Sequence, residues 1–220
     1  MDSNRQHRFL PLDLPLFEYK QSVLDAFDGN IEFGFWKEEE LTYRDRSNPF
    51  GDRSEFTEAA LQKYPALIDY ITTQWPFEYF VYVKLIRANR DVYPHVDGNF
   101  IDNKGPIGNY NTITQEYYDH QLSTEPCGYR MIVNGSRSSL YLCDTYDPTY
   151  KQKDWTGLDK QYCVIPEDTD CFVLQTNNSP HGVDYIADDN NRLLLFAIGK
   201  LDVDRHRALI EKSEARYAGF

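Results

Sequence analysis

No two of the four cysteines, Cys127, Cys143, Cys163 and Cys171, stand in a Cys-x-x-Cys pair. Without that spacing a structural zinc site is not expected. No apolar run approaches the length that crosses a bilayer, and no charged-then-apolar leader opens the chain. The expectation is a soluble, cytoplasmic protein whose thiols stay reduced. Basic residues are scarce beside acidic ones, 23 against 35, which leaves a net charge of −12. Such a field opposes unassisted binding to bare nucleic acid or to an anionic membrane. Internal repeats, low-complexity tracts and any linker that would split the chain are also missing, so 220 residues read as one domain with a sizeable core.

Aromatic residues are plentiful at 15% of the chain, with 17 tyrosines and 13 phenylalanines. They suit pleated, half-buried surfaces and favour a mainly β fold. Strands are expected over 80–87, 129–134, 138–143, 161–165, 170–176 and 192–198. Asn134-Gly135 between two apolar runs signals a hairpin. The proline- and leucine-bearing segment Phe9–Phe17 reads as extended chain covering part of the core. A short helix is expected over Glu18–Phe27. Ser54 reads as the N-cap of a helix beginning at Glu55; Pro65 breaks it and starts the next, which runs to Trp75. A polar, exposed helix is expected over 204–217. The acidic triplet Glu38-Glu39-Glu40 reads as solvated surface. The long polar segments 101–126 and 144–158 have the length of functional loops or of barrel decoration.

Against this background one pattern carries chemistry. His95-Val96-Asp97 is followed, after 83 intervening residues, by His181, and after ten more by Arg192. Two imidazoles and a carboxylate can take one face of an octahedral metal and leave three positions open, an arrangement suited to non-haem Fe(II) and oxygen. The arginine adds a planar cationic fork that grips a carboxylate. His95 and Asp97 have the two-residue spacing that places both on one face of extended chain, and Pro94 favours extended geometry before them. Upstream lies the apolar run Phe80–Ile86. His181 follows Pro180 and the strand-like Cys171–Gln175, while Arg192 opens the apolar run Leu193–Ile198. Each element thus sits at a strand end, where a barrel would converge all four. The bland reading takes His95 and Asp97 as a surface hydrogen-bonded pair, His181 as a turn residue and Arg192 as a strand-edge cation. Four concordant contexts favour the site.

On these four positions, and the strand order around them over residues 80–200, the chain resembles the Fe(II)- and 2-oxoglutarate-dependent oxygenase superfamily. Gly98 after the aspartate and the Pro-His at the second histidine resemble its prolyl-hydroxylase-like and aspartyl/asparaginyl-hydroxylase-like branches, and Asp97 sits better with the first. Presence of that carboxylate argues against a halogenase. The resemblance implies a double-stranded β-helix, also called a jelly roll or cupin-like barrel, in a single oxygenase domain. Residues 1–79 would be N-terminal support, 80–200 the β-barrel core and 201–220 a C-terminal helix. It implies that His95, Asp97 and His181 bind Fe(II) and that Arg192 binds the distal carboxylate of the co-substrate 2-oxoglutarate. Arg130 and Lys84 are candidates for a second contact to it; as strand residues they read equally well as exposed. The implied reaction uses O2, converts 2-oxoglutarate to succinate and carbon dioxide, and hydroxylates a C–H bond. The primary substrate would be a protein side chain, an amino acid or another small molecule, held by 101–126 and 144–158. Two other classes share the barrel: a cupin-like metal enzyme without 2-oxoglutarate, against which Arg192 argues, and a non-catalytic metal-binding module.

Overall fold

In the segment Leu193–Leu201 nearly every residue is apolar, the mark of a strand covered on both faces. A computed structural model describes residues 9–33, 36–43, 53–88, 91–95, 127–143, 159–175, 181–184 and 192–218. Asp97 and both long segments, 101–126 and 144–158, lie outside them. In chain order the elements are β1 (Phe9–Pro11), α1 (Lys20–Ala26), β2 (Ile31–Phe33), β3 (Trp36–Glu40), α2 (Glu58–Lys63) and α3 (Pro65–Gln74). There follow β4 (Phe77–Ala88), β5 (Val92–His95), β6 (Cys127–Asn134), β7 (Leu140–Cys143), β8 (Lys160–Tyr162) and β9 (Cys171–Gln175). The last three are β10 (His181–Val183), β11 (Leu193–Leu201) and α4 (Val203–Tyr217). The molecule is mainly β with flanking helices, as expected.

The strands form two antiparallel sheets. A large one runs β1-β9-β6-β11-β4-β3-β2 and a small one β5-β10-β7-β8. Among the described residues these remain two sheets and do not join into a closed barrel. The large sheet is covered on both faces, and the pleat sorts its residues. Val83, Leu85, Tyr129, Met131, Val173, Leu193, Leu195 and Ala197 pack with Leu67, Ile71 and Trp75 of the helical layer. Their neighbours Ile132, Phe172 and Leu174 face the other way and pack with Leu140 and Leu142 of the small sheet. Val183 and Leu194 join that second cluster from β10 and β11.

Three local expectations are corrected. The Asn134-Gly135 turn does not close a hairpin, because β6 pairs with β9 and β11 whereas β7 pairs with β10 and β8. Gly135, at φ 109°, turns the chain from one sheet to the other. Arg137 holds that crossing by donating to the carbonyls of Pro166 and Thr169 at 2.7 and 2.5 Å. The second helix begins at Glu58, not at Glu55, and its N-cap is Thr57, whose hydroxyl accepts from Ala60 N at 3.0 Å. Residues 54–57 are committed to extended pairing: Ser54 N donates to Phe80 O, and Thr57 N to Leu41 O. Finally, two members of the acidic triplet, Glu38 and Glu39, are buried and not solvated. Alternation along β3 sends Glu38 toward Lys84 at 2.6 Å and Glu39 to the helical side, where Lys63 and the Tyr64 hydroxyl bind it at 2.8 and 2.9 Å.

Polar anchors fasten the two chain ends. Asp170, with no exposed surface, accepts from Lys20 at 2.5 Å, Arg137 at 2.6 Å and Phe17 N at 3.2 Å. It thereby ties the extended N-terminal segment, with Leu12 and Phe17 buried as expected, to the turn before β9. Asp13 clamps α4: its backbone N donates to Ser213 at 2.9 Å, and its carboxylate meets Lys212 at 3.0 Å and Arg216. Burial alone would raise the Asp13 pKa, but the bonds and charges of Lys212 and Arg216 outweigh it and hold the pKa below the usual value. On α4, His206 Nδ1 lies 2.8 Å from the hydroxyl of buried Tyr129, and burial pushes its pKa down to about 4. The tail helix is therefore less exposed than its polar sequence implies. Among the described residues no helix is long and apolar enough to cross a membrane.

Two predictions follow from these anchors. Asp170→Ala leaves Lys20 and Arg137 without their buried carboxylate and is expected to destabilise the fold by about 3–5 kcal/mol, read as a lower urea midpoint. An unchanged midpoint would show that the anchor contributes nothing. For His206 the folded pKa lies below the ordinary 6.5, so the unfolded chain binds the extra proton. Stability is therefore present above pH 6.5 and is lost as pH falls toward about 4, by on the order of 3 kcal/mol in all. Asp13, whose pKa is lowered, adds a loss at lower pH, below its ordinary value. His206→Gln keeps an acceptor for Tyr129 but cannot titrate. Its unfolding free energy should vary less than wild type between pH 6.5 and 4.

Candidate functional site

The small sheet faces the large one through the side that carries Leu140 and Leu142. His181 is directly opposite Leu142, and Val183 opposite Leu140, so β10 turns both residues toward the space between the sheets. His181 is 6% exposed, which makes it an interior imidazole and not a turn residue. On its other edge β10 pairs with β5, and here the register is His181 against His95. Directly opposed positions of an antiparallel pair share one face, with Cα atoms about 4.5–5.5 Å apart. The two histidines, 86 positions apart by number, are therefore cross-strand neighbours on adjacent backbones. The backbone register sets position 95 beside His181, and histidine supplies a nitrogen donor of the kind Fe(II) accepts. Asp97, two residues beyond His95, lies outside the described residues. Among the described residues alone, no group of three His, Cys, Asp or Glu side chains gathers.

Across from this pair stands the inner face of the large sheet. Phe196 on β11 is opposite both Lys84 on β4 and Arg130 on β6, so the two candidate cations flank one ring. Arg130 is 6% exposed and stacks its guanidinium 4.7 Å from the Phe196 centroid. Its Nη1 donates to Gly128 O at 2.8 Å and Leu174 O at 3.2 Å. A Cβ at Gly128 would lie 2.0 Å from Phe196, so glycine is what admits this stack. Lys84 forms its 2.6 Å ion pair with Glu38, a residue that is itself 5% exposed. Both cations are thus interior and engaged with the scaffold; neither is an exposed strand residue.

Arg192 immediately precedes β11 and is half-buried. By the pleat it shares parity with Leu194 and Phe196, the residues of the inner face. That inner face is not sealed. On β11 the helix-facing residues are buried while Leu194, Phe196 and Ile198 are all partly exposed. On β4, Val83 and Leu85 are fully buried whereas Lys84 and Ile86 keep some exposure. Ile132, Phe172, Leu174, Leu140 and Leu142 fill part of the inter-sheet space, while Lys84, Ile86, Leu194, Phe196 and Ile198 keep some exposure.

The structure thus brings His95 and His181 together and sets Lys84, Arg130 and Phe196 on the facing sheet. Sequence reasoning missed Glu38, Phe196 and Gly128. Only the alternation within β3 could have pointed to Glu38, and three consecutive glutamates conceal it. Comparison with protein-family models finds no match, and comparison with curated proteins finds none either.

If the histidine pair holds a metal, His181→Ala and His95→Ala should each weaken Fe(II) binding by more than about 100-fold, beyond the cost of losing an outer-sphere partner. Isothermal titration under anaerobic conditions reads the affinity, and circular dichroism checks that the sheets persist. Wild-type affinity in both variants would remove the pair from the metal site.

Proposed function

We propose that this protein is an Fe(II)- and 2-oxoglutarate-dependent oxygenase that hydroxylates a C–H bond of a protein side chain, an amino acid or another small substrate. The observation that carries the reading is the direct register of His95 with His181 on β5 and β10. Strand order supports it. Counting β4 to β11 as first to eighth, the large sheet contains the order sixth, third, eighth, first, and the small sheet second, seventh, fourth, fifth. The chain therefore passes repeatedly between two facing sheets, which supports the jelly-roll reading. We read β1, β2 and β3 as additions at the edges of its large sheet.

In this reading His95, Asp97 and His181 would hold Fe(II). Bound there with 2-oxoglutarate, the metal supplies the activation of O2 that yields succinate, carbon dioxide and the hydroxylated product. The chain's own residues bind, orient and exclude. Arg192 offers a rigid fork to the distal carboxylate of 2-oxoglutarate. On the facing sheet Lys84 pairs with Glu38, and Arg130 donates to two backbone carbonyls. Ile86, Leu194 and Phe196 give the co-substrate's methylene groups an apolar surface and displace water from the reacting end.

The test is succinate formation from 2-oxoglutarate in the presence of Fe(II), first alone and then with candidate primary substrates. Arg192→Ala removes one member of a charge-assisted pair, a loss on the order of 2–5 kcal/mol, or roughly 30- to 5,000-fold in 2-oxoglutarate affinity. Arg192→Lys should also bind less tightly, since an ammonium lacks the fork. Fe(II) affinity should be unchanged in both. Equal 2-oxoglutarate affinity in wild type and Arg192→Ala would move the anchor to Arg130 or Lys84. No 2-oxoglutarate binding by metal-loaded wild type would favour a cupin-like enzyme that does not use it.

A further inference from the structure

β10 is three residues long, yet the candidate metal site depends on its register to a single residue. It makes three regular pairings with β7, and its pairing with β5 is interrupted by a shift between His181 and Val183. A slip of one residue would send His181 to the opposite face of the sheet. So few backbone bonds resist such a slip only weakly.

The outer face of the small sheet holds what resists it. Gly182 is opposite Tyr141, and the Tyr141 ring lies across it. A Cβ at Gly182 would come within 2.4 Å of the Tyr141 hydroxyl oxygen, 2.6 Å of its Cζ and 2.6 Å of the Val92 carbonyl oxygen. The last of these is backbone and cannot swing aside. Displacing β10 by one residue in either direction would bring His181 or Val183 to this place, where no side chain fits. Tyr141 itself is 2% exposed and has little freedom to leave. Lys160 Nζ sits 4.4 Å from its ring centroid, and the Tyr162 ring meets it edge-on at 6.0 Å.

The same two residues of β8 also hold the end of β10. Asp184, directly after the strand, takes Lys160 Nζ at 2.7 Å and the Tyr162 hydroxyl at 2.5 Å. Its backbone N donates to Ser139 O at 2.9 Å, extending the ladder with β7 by one rung. Lys160 thus links Tyr141, which senses the glycine, to Asp184, which ends the strand.

We infer that Gly182, Tyr141, Lys160, Tyr162 and Asp184 form a register clamp on the outer face of the small sheet, whose role is to position His181 opposite His95 for metal binding. These are positioning residues, acting through β10 and not on the metal. The inference rests on the metal reading of the histidine pair, and its test separates the two. Co(II) serves as the probe, because its visible absorption reports coordination geometry alongside affinity.

Gly182→Ala and Tyr141→Ala are expected to weaken Co(II) binding by roughly 10- to 100-fold, the range for losing an outer-sphere support, and to change the Co(II) spectrum. Tyr141→Phe keeps the ring over Gly182 and should restore both affinity and spectrum. Asp184→Asn tests the other arm without placing new bulk in the sheet, and should weaken binding in the same sense. A purely structural role would lower thermal stability and leave affinity and spectrum of the folded fraction as in wild type. If wild type binds Co(II) and the Gly182→Ala, Tyr141→Ala and Asp184→Asn proteins bind it equally with the wild-type spectrum, the clamp is overturned and the metal site stands. If wild type binds no metal, both fall.

Discussion

Double coverage of the large sheet is the constraint on which the rest of the molecule depends. A sheet with one wet face needs apolar residues only at alternate positions, but this one has helices against one face and a second sheet against the other. Polar groups on its central strands therefore have to be paired or placed where water and ligand can reach them. β11, bonded to β4 and β6, shows the consequence. Its helix-facing residues Leu193, Leu195 and Ala197 are completely buried, while Leu194, Phe196 and Ile198 on the other face keep some exposure. One pleat separates a dry core from a face that stays partly exposed.

The same constraint explains why the interior ions come in pairs. A lone charge buried in this sheet would cost several kcal/mol. Lys84 has Glu38, Lys63 has Glu39 and Asp28, and Asp170 has Lys20 and Arg137. Arg130 instead spreads its charge over the Phe196 ring and two carbonyls. Each pair joins elements far apart in sequence, and so each also fixes topology: β3 to β4, α2 to β3, and the N-terminal segment to the turn before β9. With a surface dominated by acids, these interior cations are a local exception to the net charge of −12.

How much of this was legible in the sequence depended on the length and burial of each element. Phe80–Ile86 and Leu193–Ile198 announced themselves because strands covered on both faces are continuous apolar runs. Helix α3 was readable from Pro65, and α4 as a polar helix at the end of the sequence. The strands that carry the histidines were not readable as strands. β5 is Val-Tyr-Pro-His and β10 is His-Gly-Val, with a proline, a glycine and two imidazoles among seven residues. They exist because neighbours hold them, not because their own propensities do. The Asn134-Gly135 signal was a true turn wrongly assigned a hairpin, since a turn residue reports local φ and not which sheet comes next. Glu38 and Glu39 misled for a related reason: composition reports charge, and only pairing reveals its partner.

The candidate site combines both kinds of element, and that combination has a physical logic. The large sheet contributes the facing wall, on long strands with buried residues that cannot shift without opening the core. The small sheet contributes His95 and His181 from two adjacent short strands, where no apolar run enforces alignment. A metal pair requires placement to within a fraction of an ångström, which propensity and burial of three residues cannot supply. Side-chain fit has to supply it instead, and the only position on β10 without a side chain is the one that Tyr141 occupies. Gly182 is weak evidence read as one glycine in a sequence. Read in place, its missing Cβ is what lets β10 enter between β5 and β7 in one register and not in the two adjacent ones.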